Sequence, residues 1–408
     1  MKRAATVLTV LLVLVSLVPA ASAASGQAYA GSHVSFDTTA HAVTNYAVNG
    51  DTMLSTVKVQ SASDAGGSGV VGVGTSLSAV TSLDGAGLSL GAKTQTGATV
   101  TVDGSASMDA HDDGNGVLVV RAGGDSQYVQ ANLSDGSTAS AESKRRVAVT
   151  TADGVDGSFI VVGNGTVAVN DAGNVVAKLG DDGQLVFMAY PNGKTKADGA
   201  DEQLIADGQA TAEVHVLQKN GGTVADTVTY GQQTSLDAAQ RANGSVQVAV
   251  DRSTHQGTVV ITSISKAAMD TSNGLQVTVD GHAAAKASSE ADLRSAIGGD
   301  RSKYLVRSGS GAKGSATVLV AVNHFSKRTI TMSPSGGSGS TAASGSGATT
   351  AAGSGGSSAT TAAGSTGDSS GSNGAAAGAT STSGQPGFGA VVTLVGLLGA
   401  AVVALRRP

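Results

Sequence analysis

The side chains best suited to chemistry fall in a few short stretches. Asp109-Ala110-His111-Asp112-Asp113-Gly114-Asn115-Gly116 gathers oxygen and nitrogen donors at the density a Ca²⁺ loop needs. It does not fit the loop of an EF-hand. Counted from Asp109, the third ligand is His111 and the twelfth position is Val120; counted from His111, the first ligand is an imidazole and the twelfth position is Ala122. A loop joining two strands is the better account, and no metal is expected. Gly309-Ser310-Gly311-Ala312-Lys313-Gly314 has GxGxxG spacing, but the run after it, 316–322, reads as a strand. Without a helix N-terminus nothing holds a pyrophosphate, so a hairpin loop is expected there and no nucleotide cofactor.

The seven histidines, His33, His41, His111, His215, His255, His282 and His324, show no HxH or HxxxH pair. His215, among the apolar residues of a strand, and His324, at the end of another, are expected to pack or to face solvent. There is no cysteine, which removes disulfide scaffolds, thiol nucleophiles and Cys-ligated metals. No GxSxG elbow stands in the body of the chain, and nothing local announces a Ser-His-Asp triad. Lys144-Arg145-Arg146 is the one basic run and is read as a solvated turn. Asn132-Leu133-Ser134, Asn164-Gly165-Thr166 and Asn243-Gly244-Ser245 are sequons, so Asn132, Asn164 and Asn243 are N-glycosylation candidates.

The elements that carry these residues are strands. Short β-branched runs alternate with Gly, Asn and Asp turns, most clearly over 158–193, where four apolar runs are divided by turn clusters. That segment is expected to be an antiparallel meander whose consecutive strands pair in order. Comparable runs lie at 53–60, 117–121, 212–217, 223–230, 245–250, 258–264, 275–279, 316–322 and 328–332. Only 235–243, ending at Asn243-Gly244, and 289–297, opening with Ser289-x-x-Asp292, look helical. The fold class is therefore all-β: antiparallel meanders forming one or two β-sandwich-like domains with short connector helices. No fixed-period repeat supports a solenoid. Since 309 residues exceed one ordinary core, two β domains, 24–200 and 201–332, are expected, with the polar passage 194–208 at their boundary.

Both ends read as addresses. Lys2 and Arg3 precede an apolar run at 4–17, and Ala21-Ser22-Ala23 supplies a cleavage site, so residues 1–23 form a secretory signal peptide for the general export pathway. Residues 333–385 are Ser, Gly, Thr and Ala apart from Pro334, Asp368, Asn373 and Gln385, a disordered low-complexity linker. Then come Pro386, Gly387 and Phe388, an apolar helix-like run at 390–405, and the basic stop Arg406 and Arg407. Hydropathy alone allows a plain transmembrane anchor, although 16 residues make a helix of about 24 Å against a hydrocarbon core of about 30 Å. The whole arrangement closely resembles the PGF-CTERM sorting signal of haloarchaeal surface proteins, S-layer glycoproteins among them, with Pro386, Gly387 and Phe388 at the signature positions. The resemblance covers the tail and linker only. It implies recognition by an archaeosortase, removal of the hydrophobic tail and attachment of the new C-terminus to a membrane lipid.

Composition agrees with a displayed, turn-rich protein. The chain has 408 residues, 58 of them Gly, and 13% are charged, about half the share usual in soluble domains. Residues 24–332 hold 21 basic and 29 acidic side chains, so no positive field exists to attract nucleic acid. Ten aromatic residues in that region leave a core of Val, Leu, Ile and Ala. The functional expectation is a surface protein anchored to the membrane, without cofactor, with a structural or interaction role beside S-layer or other surface proteins. A surface binding module, adhesin-like or glycan-recognising, is the alternative; an enzyme is not expected.

Overall fold

The computed structural model describes residues 27–67, 75–231, 233–241, 243–272, 274–308 and 316–335. The signal peptide, most of the linker, the tail with Pro386, Gly387, Phe388, Arg406 and Arg407, and the GxGxxG stretch lie outside the described residues. No helix among the described residues is long and apolar enough to cross a membrane.

The chain is β-rich, as its runs predict, and its strands form four sheets of seven, eight, six and five strands. The first two are built from residues between 28 and 190, the last two from residues between 210 and 334. Three cores separate the four layers. Phe36, Tyr46, Leu54 and Val129 of sheet 1 meet Phe159, Leu185 and Phe187 of sheet 2 in the first. The opposite face of sheet 2, with Val119, Ile160 and Val186, packs on Val228, Ile261 and Leu319 of sheet 3 in the second. Val214, Val260 and Val320 of sheet 3 then meet Val248 and Ile330 of sheet 4 in the third. Two sandwiches are thus stacked face to face.

Stacking explains the sequence pattern of the central strands. Gln184–Tyr190 is buried at every position because its odd and even residues enter different cores. Such a strand reads as a continuous apolar run, as strands covered on both faces do.

The pairing within 158–193 differs from a simple meander. Asp156–Val162 pairs with Gln184–Tyr190 in sheet 2, while Gly165–Val169 and Val175–Leu179 pair with each other in sheet 1. The inner hairpin is nested inside the outer one and crosses between sheets at Asn164 and Gly180. There the Gly180 amide donates to the Asn164 carbonyl (2.8 Å) and the Gly183 amide to that of Gly180 (2.9 Å). A Cβ on Gly183 would overlap the Asn164 carbonyl oxygen, so the crossing demands glycine for space.

Two helix assignments change. Thr234–Gln240 is a strand antiparallel to Val246–Arg252, aligning Leu236 with Val250 and Ala238 with Val248 against the third core. Good helix formers yield here to an apolar alternation that the sheet buries. Conversely, the polar passage 194–208 holds an α-helix, Lys196–Ala206, opened by a capping box of Thr195 and Asp198 and buried through Leu204, Ile205 and Ala206. The expected short helix is present at Glu290–Arg294, where the Ser289 hydroxyl accepts from the Asp292 amide.

Candidate functional site

The seam between sheets 2 and 3 is where polar chemistry collects. Strand Ala210–Lys219 turns Ala212, Val214 and Val216 into the third core. Its alternate residues Glu213, His215 and Lys219 therefore face sheet 2, and all three are buried. On an isolated sandwich that face would be wet; the second sandwich covers it.

Lys219 sits at the end of the strand, held by the Asn220-Gly221 turn, whose φ values of 50° and 79° are those of a two-residue hairpin. Its ammonium donates to Asp112 Oδ2 at 2.7 Å, to the Asp112 carbonyl and to the Gln95 carbonyl at 2.9 Å. Asp112, 1% exposed, also accepts from the amides of Ser32 (2.7 Å), His33 (2.6 Å) and Val34 (2.8 Å). Burial alone would raise its carboxyl pKa. The Lys219 ammonium and the three amides outweigh that and hold it below the ordinary value. The acidic stretch thus ends the strand Ser107–His111 and continues as the loop to Leu118–Arg121, in which Asp112 ties the two sandwiches together.

Beside this staple, His215 Nε2 lies 3.2 Å from Asp113 Oδ2 and 3.3 Å from Glu213 Oε1, and Glu213 Oε2 accepts from the Tyr230 hydroxyl. Burial pulls the His215 pKa down, but the Asp113, Glu213 and Asp226 carboxylates prevail and it ends raised. Burial drives the Glu213 carboxyl up, opposed by His215 and Tyr230. His111 Nδ1 meets Asp226 Oδ2 at 3.0 Å, a second histidine–carboxylate contact across the seam. His215 is therefore neither simple packing nor a surface residue. What the sequence offered was a strand with one Val/Ala face and one Glu/His/Lys face; which of them would be covered depends on the second sandwich.

Glu213 and His215 border a cleft of ≈ 600 Å³ between sheet 2, helix Lys196–Ala206 and sheet 3. Met188, Leu217 and Ile261 give it an apolar floor, and the exposed residues Asn192 and Lys266 stand at its rim. On the helix, Glu202 accepts from the Tyr190 hydroxyl (2.8 Å) and pairs with Lys194 (2.8 Å), while Asp201 pairs with Arg307 (2.6 Å). Burial pushes the Asp201 carboxyl up to about 7, against the pull of Arg307. The basic run is not a free turn: Arg145 donates to the Ala206 carbonyl at the helix end, and Arg146 reaches Glu142 and Glu202. Among the described residues no group of three His, Asp or Glu side chains is arranged to hold a metal.

The three sequons lie on separate elements. Asn132 is half-buried on strand Gln127–Leu133, its Oδ1 accepting from Gln130. Asn164 is exposed at the sheet crossing. Asn243, also exposed, belongs to the turn between two strands instead of a helix end, its Oδ1 accepting from the Ser245 amide and hydroxyl. None borders the cleft.

Comparison with known proteins bears on the tail. Residues 385–407 match the PGF-CTERM motif. No curated protein matches the chain. The motif makes this an exported protein that an archaeosortase processes and that is anchored at the cell surface.

Proposed function

We propose that this is a display protein: a stack of two β-sandwiches held away from the membrane on a hydroxyl-rich spacer, with a structural or interaction role in the archaeal envelope. The observation that carries the reading is the PGF-CTERM motif placed directly after the low-complexity stretch. In this reading export uses the general pathway, the archaeosortase removes the apolar tail, and the new C-terminus is joined to a membrane lipid. Asn164 and Asn243, both exposed, are the sequons best placed for glycan, and S-layer or other surface proteins are the neighbours. The body acts by contact and not by catalysis. In support, the buried carboxylates around the cleft already have partners: Glu202 has Lys194 and Tyr190, Asp201 has Arg307, and Glu213 has Tyr230.

Mass spectrometry of the mature protein tests this. The expected chain begins near Ala24, lacks peptides from 390–405 and carries a lipid at its C-terminus. An intact 390–405 segment on the mature protein defeats the sorting step, and recovery of the unprocessed chain from the cytosol defeats the reading altogether. The cleft favours a second reading, a surface binding module.

A further inference from the structure

We propose that the cleft between the two sandwiches is a binding site for a neutral, hydroxyl-rich ligand of one or two sugar rings. This deepens the binding-module reading and stands on the cleft, whatever the fate of the tail.

The size fits, since small-molecule sites commonly fall between about 300 and 1,000 Å³ with an apolar floor and a few convergent polar groups. A buried polar residue borders it. His215 is 4% exposed and borders the cleft, yet its Nε2 makes no hydrogen bond of proper geometry, despite two carboxylate oxygens within reach. The side chains of Asn115, Ser263 and Thr317 also border the cleft, and no described residue hydrogen-bonds them. An amide and two hydroxyls both give and take hydrogen bonds, as a sugar hydroxyl does.

Charge decides between ligand classes. Each carboxylate of the walls already has a partner, Asp201 in Arg307, Glu202 in Lys194, Asp198 in the Thr195 cap and Glu213 in Tyr230 and His215, so none is free to take an incoming cation, and Arg307 is taken up by Asp201 and Glu290. The face of Tyr190 is occupied by the Lys194 ammonium, 5.8 Å from the ring centre, and its hydroxyl by Glu202. Stacking is thus closed to the ligand, and hydrogen bonds must hold it. A handful of neutral hydrogen bonds gives a Kd of about 1 mM.

Saturation-transfer NMR on the full chain in detergent tests this, with glucose, galactose, mannose, maltose and cellobiose as probes, and spermidine and citrate as charged controls. The expected result is transfer from at least one sugar. It should be abolished by Ser263→Phe, which fills the cleft, and weakened about 5-fold by Asn115→Ala, which deletes one amide. Asn115→Ala keeps the test valid should Ser263→Phe misfold. No transfer from any sugar, or transfer undiminished in a folded variant, overturns the proposal. Binding of spermidine or citrate in place of the sugars overturns it too.

Discussion

Replacing Lys219 by Met keeps the length and apolar stem of the side chain and removes its charge from the seam. The consequence follows from what is left behind. Asp112 remains 1% exposed with a carboxylate that has lost its cation, and removal of one partner from a buried ion pair costs about 3–5 kcal/mol. Three backbone amides still point at that carboxylate, at 2.6–2.8 Å, and Gln95 is exposed enough for water to take the place of the ammonium at its carbonyl. The cost should therefore fall at the low end, about 3 kcal/mol. Asp112→Asn leaves the ammonium unpaired and turns one carboxylate oxygen into a donor facing other donors, so about 4–5 kcal/mol is expected. The double variant should lose at least about 2 kcal/mol less than the sum, because the second change no longer breaks a pair. Urea unfolding with matched slopes gives these values, and repeating it in concentrated KCl should leave them nearly unchanged, since buried pairs are little screened. A loss below about 1 kcal/mol for Lys219→Met, or strict additivity of the two singles, would refute the assignment of this pair as the staple of the seam.

Four further outcomes follow from the same geometry. His215 has a folded pKa above its ordinary value, so its stabilising contribution is complete below about pH 6.5 and lost as pH rises through the raised midpoint; urea midpoints should drop over that alkaline window, and His215→Gln should flatten the drop. Asp112, whose folded pKa is lowered, contributes above the ordinary 3.8 and is lost as pH falls through the folded value, so the acid limb should be shallower in Lys219→Met. Asp201 should titrate near pH 7 by carboxyl NMR and move higher in Arg307→Met, which removes the guanidinium opposing burial; a midpoint close to 4 in the native protein would contradict this. Gly183→Ala should cost about 3 kcal/mol or more by urea unfolding, because the added methyl meets backbone and not a movable side chain, whereas Gly173→Ala, with open space but a φ of 79°, should cost about 1–2.

What could be read from the sequence was local. Strands such as Leu275–Val279 and Ala316–His324 announce themselves by β-branched runs, and Asn220-Gly221 by hairpin chemistry. Helix Lys196–Ala206 did carry a signal, Thr195 three residues before Asp198, but Gly199 inside the first turns and the charge around it masked the pattern. Strand Thr234–Gln240 was obscured the other way, since Ala238, Ala239 and Gln240 favour a helix until Val248 and Val250 lie opposite the run. The nested hairpin was not legible, because turn residues at Gly163 and Asn164 say that the chain reverses but not which sheet receives it. The cleft was least legible of all: Glu213 and Asp201 lie on different elements and meet only when the sandwiches stack.

Stacking also accounts for the unequal character of the three cores. The first and third are predominantly apolar, with Gln127 and Thr262 buried in strand alternation with their residues, and each would hold its own pair of sheets together. The second joins apolar patches from the two sandwiches with Asp112, Asp113, Glu213, His215 and Lys219 set beside them. Apolar surfaces are tolerant of sliding, whereas a buried ammonium loses its acceptors after a displacement of one residue. A seam that pairs Lys219 with Asp112 and His111 with Asp226 is thereby fixed in register as well as in contact. For a protein exposed to the medium outside the cell, the division has a second effect. Salting-out ions strengthen the apolar cores, and the charged contacts that set the register lie beyond the reach of screening. The surface pairs Lys303–Asp292 and Arg328–Asp280, each about a third exposed, have no such protection. The shape of the cleft is set by that register, since its walls belong to different sandwiches, and the ions that fix the seam therefore also fix the site.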